Sequence, residues 1–486
     1  MPNTALAYDF TEIYNQTHSH VSFSPGAQFI LTAVQDRLIV RRADTFQIAR
    51  TWLLDNTATE SATILGGTSR LTVRTKKANE TEGWITHVGW SADSEHILAA
   101  CTKRGVVHVL KMRDDIWHAR IEAGAEGLVK AEWAPDGRHI LCFSEWGLRV
   151  TLWSLIKGSA IYMQFPKFTD RGYAFRKDGR YFILAERHKS KDTLSVYDAA
   201  DSYKLARHVA LPSSSLGSLS LSPTGNHIAV WESQLEYKLY IVTMAGHLQA
   251  TFTPDQDPGL GIRTVAWHPA GTFLAVGGYD DKIHILSSLS WSCVKTLEVS
   301  PRIPSSVTAW NEPVGWLEDS YGHAFQAYDK LQNITSIAFI RTSPEKPDPK
   351  SGVIQLEWNV DGTLLLTRFE NAPTAVHIFA FPSSSEPFNP HLRSVLLHNQ
   401  PVLQARWNPV RAGSLIICCG TGGVYTWTSE WEDSELGIIE MAECVGVPTE
   451  NFHVRNIKWG PDGKGFVLLD QTTFCCAFEV LEDVAE

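Results

Sequence analysis

A short pattern recurs nine times along this chain of 486 residues: a Trp or another large apolar residue is followed closely by a turn rich in Pro, Asp and Gly. We call the nine large residues anchors; they are Phe23, Trp90, Trp133, Phe175, Leu221, Trp267, Trp358, Trp407 and Trp459. From Trp90 to Trp267, consecutive anchors lie 42 to 46 residues apart. That period is typical of a four-stranded propeller blade and not of a helical repeat. The repeat therefore constrains the fold more than any other feature.

The residues between anchors have the patterns of β-strands. Each turn is followed by a short apolar run, such as 139–143 or 181–185, and then by a segment that alternates polar and apolar residues, such as 282–286. Asp-Gly and Pro-x-Gly turns suit the hairpins between them, because Gly tolerates a positive φ and Pro presets its own. The sequence thus predicts an all-β fold, a β-propeller of about nine divergent blade-like units in one closed ring. A ring of seven or eight blades with irregular extra strands, and two packed propellers, remain as alternatives.

The anchors are predicted to pack in the core. A single blade cannot bury both of its faces, so blades must stack on one another, and the anchors are the largest apolar residues available for that contact. The strand-like segment 474–478 is predicted to complete a blade together with N-terminal residues. Such closure removes exposed sheet edges.

Residues 1–486 are predicted to form a single domain with three insertions. Two of them are predicted because consecutive anchors lie more than one blade period apart. These insertions are placed at 55–83 and 300–352. The second is expected to add a strand or two, although a degenerate blade would also fill the gap. The third, at 382–391, is predicted to be a loop.

Composition restricts the function classes. The net charge is −10, from 43 basic and 53 acidic residues, and no basic block is interleaved with aromatics, so we expect protein partners and no nucleic acid. No secretory start and no run of 18 apolar residues is present, which predicts a location in the cytosol or nucleus without a membrane span. The eight cysteines show no C-x-x-C spacing and are predicted to be buried free thiols without a metal.

The chain lacks the common catalytic motifs. It contains no P-loop, no H-E-x-x-H, no G-x-S-x-G and no G-x-G-x-x-G pattern. The glycine-rich segment 420–423 lies between two strand-like runs and is predicted to be a hairpin turn. We therefore predict no enzyme activity, no catalytic residues, no cofactor and no metal. The enzyme alternative would require convergent polar residues in the axial channel.

Several segments of the chain match a known family. The longest are Trp133-Ala-Pro-Asp-Gly-Arg-His-Ile-Leu, Leu148-Arg-Val-Thr-Leu-Trp-Ser-Leu and Val265-Ala-Trp-His-Pro. Shorter ones lie at 37–41, 103–107, 117–118, 127–129, 178–181, 184–187, 229–231, 235–238 and 260–263. Together they resemble a family of centrosomal and spindle-pole-body WD-repeat proteins, the WD-repeat protein eight or antisense-to-p53-relative family. The resemblance is densest from Trp90 to Leu286 and weak at 55–83 and 300–352, and we expect a fungal member.

The resemblance implies an adaptor at microtubule-organising centres. Family members bind a coiled-coil anchoring protein and, in fungi, a minus-end-directed kinesin, and hold spindle microtubule minus ends at the spindle pole body or centrosome; γ-tubulin complex components are further expected partners. The alternative is a general WD-repeat scaffold such as a ubiquitin-ligase substrate receptor. Regular WD repeats tie each blade with a His, Ser or Thr, Trp and Asp set, of which this chain keeps little. Blade cohesion is therefore expected to rest on apolar packing.

A partner surface is predicted where the second and third strands of each blade connect. In a WD-type blade these loops open on one face, opposite the Asp-Gly turns. Trp, Tyr and Arg side chains tend to carry interface energy. The predicted partner-binding residues are Arg104, Trp146, Arg187, Tyr237, Tyr279, Asp280 and Arg368.

Overall fold

Every anchor ends the first strand of an antiparallel sheet. This holds from Phe23, the last residue of its strand, to Trp459, and the turn predicted after each anchor leads into the second strand. In every turn except the one after Trp407, the residue four positions after the anchor is left-handed; Gly137 has φ +63° and Gly463 has φ +68°. Glycine adopts that conformation without steric cost. The recurring motif is therefore the inner hairpin of a blade.

The computed structural model describes residues 7–55, 83–256, 258–319, 325–331, 335–340, 350–382, 387–433, 437–449 and 451–480. It divides into two compact units. One contains Tyr14–Arg171 with Gln471–Thr473, and the other contains the remaining described residues. Within these ranges there are nine propeller blades, which confirms the predicted all-β propeller of nine units. The single-domain and single-ring predictions stay predictions.

Two short strands, β1 (Ala7–Phe10) and β2 (Tyr14–Asn15), precede the first blade. The unit that contains Tyr14–Arg171 then forms blades 1 to 3, each a four-stranded antiparallel sheet. Blade 1 consists of β3 (Val21–Phe23), β4 (Phe29–Val34), β5 (Arg37–Arg42) and β6 (Ile48–Leu53). Blade 2 consists of β7 (His87–Trp90), β8 (His96–Cys101), β9 (Val106–Lys111) and β10 (Asp114–Glu122). Blade 3 consists of β11 (Lys130–Trp133), β12 (His139–Phe143), β13 (Arg149–Ser154) and β14 (Ala160–Gln164).

The second unit begins with three more four-stranded blades. Blade 4 consists of β15 (Tyr173–Phe175), β16 (Tyr181–His188), β17 (Lys191–Asp198) and β18 (Lys204–Ala210). Blade 5 consists of β19 (Leu216–Leu221), β20 (His227–Glu232), β21 (Leu239–Thr243) and β22 (Leu248–Phe252). Blade 6 consists of β23 (Ile262–Trp267), β24 (Phe273–Gly278), β25 (Lys282–Ser287) and β26 (Cys293–Glu298).

The segment after blade 6 supplies short elements that join later blades. They are β27 (Arg302–Ile303), β28 (Thr308–Asn311), the helix α1 (Trp316–Asp319), β29 (Phe325–Ala327), β30 (Asp329–Leu331) and β31 (Thr335–Ser336). Blade 7 consists of β32 (Val353–Trp358), β33 (Leu364–Phe369), β34 (Ala375–Ala380) and β35 (His391–Leu397). Blade 8 consists of β36 (Gln404–Trp407), β37 (Ser414–Cys418), β38 (Gly423–Asp433) and β39 (Gly437–Gly446). Blade 9 consists of β40 (Asn456–Trp459), β41 (Gly465–Leu469), β42 (Thr473–Val480) and β1.

Blade 9 is completed by the start of the chain. Ala7 pairs with Val480 and Phe10 with Ala477 in antiparallel register, as predicted from the apolar C-terminal run. Short 3-10 helices lie in loops of the described ranges, at Thr102–Arg104, Gly124–Glu126, Glu145–Gly147 and Ala199–Asp201. Among the described residues, no helix is long and apolar enough to span a membrane.

The segment between blades 6 and 7 covers two outer sheet edges. β28 adds in parallel to β35 of blade 7, β30 pairs with β28, and β29 pairs with β39 of blade 8. An outer strand exposes unpaired backbone groups, and added strands satisfy them. The predicted insertion at 55–83 falls outside the described residues apart from its two ends. In the loop predicted at 382–391, the ring of Phe388 stacks on Phe273 at 4.9 Å between centroids.

A buried carboxylate fastens this segment. Glu312 is 4% exposed and accepts hydrogen bonds from Trp316 Nε1 (2.8 Å) and the Tyr425 hydroxyl (2.7 Å) through Oε1. Its Oε2 accepts one from the Asn399 backbone at 2.7 Å. A buried charge is tolerated when its acceptor sites are filled in this way. Glu312 therefore joins the added helix to blades 7 and 8.

The apolar cores lie between neighbouring blades. One joins blades 1 and 2 around Leu31 and Ile97, and another joins blades 8 and 9 around Ile416 and Phe466. The six tryptophan anchors lie in or against these cores as predicted; Trp407, for example, is 5% exposed. Seven of the eight cysteines are buried free thiols, whereas Cys293 is exposed.

The anchor tryptophans also form hydrogen bonds between blades. Six of the nine anchors are tryptophans. The indole Nε1 of each donates to a backbone carbonyl oxygen in the preceding blade, that of the residue immediately before that blade's own anchor. The pairs are Trp90 to Ser22, Trp133 to Gly89, Trp267 to Ser220, Trp358 to Ala266, Trp407 to Glu357 and Trp459 to Arg406, at 2.9 to 3.4 Å. Indole is a donor only, and burial makes a partner necessary. The sequence prediction of packing alone missed this role.

Candidate interaction surfaces

The seven predicted partner-binding residues all lie where second and third strands connect, or at the ends of those strands. Arg104 and Trp146 belong to the unit that contains Tyr14–Arg171, and the other five belong to the second unit. Their exposure differs, and exposure decides which side chains a partner can reach. Whether these residues bind a partner stays a prediction.

Trp146 is the most accessible of the seven. Its side chain is 88% exposed and its backbone is left-handed, at φ +61°. Leu148 and Phe165 lie beside it, 52% and 46% exposed, with the Phe165 N–H donating to the Leu148 carbonyl at 3.2 Å. A large aromatic residue in the left-handed region is strained, and it keeps that conformation only where the surrounding structure imposes it. We call Trp146, Leu148 and Phe165 the blade 3 apolar patch.

Arg187 is exposed but held in place. Its Nη1 lies 3.7 Å from Oδ1 of Asp192, whose side chain is 1% exposed. The other Asp192 oxygen accepts the Leu216 N–H at 2.7 Å. This pair orients the guanidinium at the end of the β16–β17 hairpin. Arg104, in the 3-10 helix Thr102–Arg104, is half-buried.

Tyr279 and Asp280 are half-buried. The Arg263 guanidinium lies 5.2 Å from the centre of the Tyr279 ring, a cation–π distance that fixes one face of the ring. Both residues keep part of their surface open, so a partner can reach them.

Tyr237 and Arg368 are buried, which corrects their assignment to an exposed surface. Tyr237 is 4% exposed and packs in the core between blades 5 and 6; burial, with the nearby Asp280 charge, raises the pKa of its hydroxyl. Arg368 is 8% exposed and donates to the backbone carbonyl oxygens of Val402 and Leu403. Burial lowers its pKa from the usual value. A pattern of loop positions gives no information about which side chains turn inward.

Arg368 faces a cavity of about 430 Å³ in the second unit. Most of its wall is formed by the first strands of blades 6 to 9, which are β23, β32, β36 and β40. Arg368 reaches the wall from β33, the second strand of blade 7. The lining residues are Thr264, Ile354, Gln355, Leu356, Glu357, Arg368, Leu403, Gln404, Arg406, Arg455 and Asn456. Of these, the sequence analysis named Arg368 alone, and for a different role.

One group in the described residues has metal-like spacing. Ligand atoms of Asp93, Glu95 and His96 lie within 4.8 Å of one another at the β7–β8 turn. The Asp93 carboxylate, however, accepts hydrogen bonds from Ser91 Oγ and the Glu95 N–H, which are contacts of a tight turn. The turn alone accounts for this cluster.

Comparison with known proteins identifies the family. The chain is 30% identical over 489 aligned residues to the WD repeat-containing protein WRAP73 of Mus musculus, and the match covers 97% of this chain and 96% of the relative. The chain belongs to the WRAP73 family of WD-repeat proteins. This membership confirms the family resemblance found in the sequence. An uncharacterized WD repeat-containing protein of Schizosaccharomyces pombe is 21% identical to this WRAP73-family chain, over 77% of this chain and 75% of the relative.

Two other similarities of this WRAP73-family chain are weaker. The family described as the anaphase-promoting complex subunit 4 WD40 domain matches residues 219–313. Among solved structures, the C-terminal WD40 domain of Sif2 is similar, with a TM-score of 0.48 and 10% identity over 97% of this chain and 99% of that chain. Membership of the WRAP73 family makes the chain a WD-repeat propeller, a scaffold for protein–protein interaction.

Proposed function

We propose that this protein is a non-catalytic adaptor at microtubule-organising centres. In this role it binds a coiled-coil anchoring protein and a minus-end-directed kinesin, with γ-tubulin complex components as further partners, and anchors spindle microtubule minus ends. Its location is the cytoplasm and cytoskeleton, at the spindle pole body or centrosome. The observation that carries the proposal is membership of the WRAP73 family over 97% of the chain. The adaptor role itself comes from the family resemblance.

The blade 3 apolar patch is the surface that we propose for partner binding. Exposed aromatic and aliphatic side chains that cluster on a protein surface mark contact sites. Trp146 is 88% exposed, Leu148 lies in the same loop, and Phe165, which follows β14, donates its N–H to the Leu148 carbonyl oxygen. Aromatic residues in such positions tend to dominate binding energy. Trp146 is therefore the residue whose loss should weaken partner binding most.

The test is affinity purification of the tagged chain from mitotic cells, followed by mass spectrometry after a moderate salt wash. We expect a coiled-coil protein together with a minus-end kinesin or γ-tubulin components. Trp146→Ala should lower recovery of the direct partner by about tenfold or more, because loss of a binding hot spot costs about 2 kcal/mol or more. The thermal stability of the variant should stay close to wild type, since the side chain is exposed.

Ile116→Ala is the matched control. Ile116 is 90% exposed and belongs to β10 of the same unit, away from the loops between second and third strands. Its variant should recover partners as wild type does. Recovery of cullin-ligase subunits instead would favour the substrate-receptor alternative. Equal recovery by wild type and a folded Trp146→Ala variant would show that the blade 3 apolar patch is not the contact surface.

A further inference from the structure

The cavity around Arg368 carries a positive charge that contrasts with the whole chain. Its lining contains three arginines, Arg368, Arg406 and Arg455, and one carboxylate, Glu357, which gives a formal charge of +3 − 1 = +2. The chain as a whole has a net charge of −10. The volume of the cavity, about 430 Å³, lies within the range of small-ligand sites. A concave, positively charged wall in a negative protein concentrates anions.

Arg368 forms the fixed part of this wall. Its Nη1 donates to Gln355 Oε1 and to the Leu403 carbonyl oxygen, both at 3.2 Å, and Nη2 donates to the Val402 carbonyl oxygen. These acceptors are neutral, so they hold the guanidinium without cancelling its charge. The side chain also lies deep, at 8% exposure, where water screens it poorly.

Arg406 and Arg455 form the accessible part. Their side chains are 48% and 50% exposed. Arg406 uses Nη1 to reach Glu357 at 3.2 Å, and Arg455 uses Nε to reach Asp470 at 3.2 Å. Within the described residues, the remaining guanidinium nitrogens of both make no hydrogen bond. Each arginine uses one nitrogen on its carboxylate, so an incoming anion can bind the other guanidinium nitrogens while both ion pairs stay in place.

Neutral amides line the space between the arginines. Gln355 Nε2 donates to the Ala405 carbonyl oxygen at 2.7 Å and to Glu357 Oε2 at 3.0 Å, so its own donors are used within the wall. Gln404 Oε1 accepts the Ile457 N–H at 2.7 Å. Because its oxygen is occupied by a backbone donor, the Gln404 amide presents its NH₂ group as a donor. Asn456 adds a third amide at the same wall. Several N–H donors of different geometry suit an oxyanion with three or more oxygens.

We propose that this cavity binds a phosphate-bearing anion, held by Arg406 and Arg455 and attracted by the buried charge of Arg368. Guanidinium groups match the geometry of phosphate oxygens and bind them bidentately. The predominantly polar lining excludes a large apolar ligand as the preferred occupant. The phosphate belongs either to a free small molecule or to a phosphorylated side chain of a protein partner. The proposal is independent of the adaptor role, since it depends on the cavity alone.

The experiment is isothermal titration calorimetry of the full chain with inorganic pyrophosphate, and in parallel with a phosphoserine peptide and its unphosphorylated form. We expect one saturable site for at least one of the two phosphate-bearing probes. Arg455→Gln and Arg406→Gln should each weaken that site by about tenfold or more, because each removes a charge-assisted hydrogen bond. Thermal unfolding of each variant shows that it remains folded.

Arg207→Gln supplies the control for charge. Arg207 lies on β18 of the same unit, is exposed, and donates to the neighbouring Ala206 carbonyl oxygen, so its variant removes an equal charge away from the cavity. Affinity should change less than twofold. Binding of pyrophosphate identifies a free anion as the source, and binding of the phosphopeptide alone identifies a protein partner. No saturable site for either probe, or equal losses in all three variants, would refute the proposal.

Discussion

Blades 4 and 5 differ from blades 6 to 9 in the hydrogen bonds that their anchors form with the preceding blade. Blades 6 to 9 each have a Trp anchor whose indole donates to the preceding blade. Blades 4 and 5 have Phe175 and Leu221 at the same position, side chains with no hydrogen-bond donor. The repeat is therefore uniform in packing but not in polar contacts between blades.

Blades 4 and 5 instead contain buried glutamates that bond within the blade. In blade 4, Glu186 accepts from Ser195 Oγ at 2.7 Å and from the Tyr197 hydroxyl at 2.6 Å. In blade 5, Glu232 accepts from the Tyr240 hydroxyl at 3.1 Å. Burial, together with the Glu232 charge, raises the pKa of Tyr240 to about 12, which keeps its hydroxyl a donor. The sequence analysis expected blade cohesion to rest on apolar packing. In blades 4 and 5, buried polar networks contribute to it as well.

The largest effect is expected at Glu232. This side chain is 1% exposed and also accepts from Ser213 Oγ (3.0 Å) and from the backbone N–H groups of Ser214 (3.0 Å) and Ser215 (2.8 Å). Glu232→Ala leaves the buried Tyr240 hydroxyl and three partly buried or exposed serine donors without this acceptor, so the free energy of unfolding should fall by about 3 kcal/mol. Urea unfolding measures the loss. Glu236→Ala, at an exposed carboxylate nearby, is the control and should change it by less than about 0.5 kcal/mol.

A smaller loss is expected when an indole bond between blades is removed. Trp407 is 5% exposed and donates to the Glu357 carbonyl oxygen at 2.9 Å. Trp407→Phe keeps an aromatic ring but loses the donor and some volume, so unfolding free energy should fall by about 2 kcal/mol. Trp459→Phe, where the side chain is less buried and the bond is 3.3 Å, should cost less. Equal and negligible losses in both variants would mean that the anchors act through packing alone.

The sequence predicted the parts of this fold that depend on period and turn chemistry. Nine anchors, the glycine turns such as Gly137, and closure by residues 474–478 follow from local patterns. The indole acceptors were not predictable, because Ser22 or Glu357 contributes only its backbone carbonyl, which every residue has. The cavity was missed for a related reason: Gln355, Arg406 and Arg455 lie on different blades, more than 40 residues apart, and no motif links them. Likewise, Tyr237 and Arg368 match exposed loop positions in sequence but turn inward.

The smallest effect on stability is expected from a buried histidine of blade 7. Blades 4 and 5 satisfy their buried glutamates, whereas His377 on β34 is fully buried, and neither of its ring nitrogens has a hydrogen-bond partner among the described residues. Burial lowers the pKa of His377 from 6.5 to about 3. Between those values the unfolded chain binds a proton that the folded chain does not, so stability is present above pH 6.5 and is lost as the pH falls.

His377→Phe tests this difference, because Phe has a ring of similar shape and cannot be protonated. Between pH 7.5 and 5.5, wild type should lose about 1 kcal/mol more unfolding free energy than the variant, since one proton contributes about 1.4 kcal/mol per pH unit below the unfolded pKa. Urea midpoints at both pH values measure the difference in slope, which is independent of any constant change in packing. Parallel pH profiles for the two proteins would indicate that His377 is protonated or solvated in the folded state. In that case blade 7, like blades 4 and 5, would satisfy its buried polar groups.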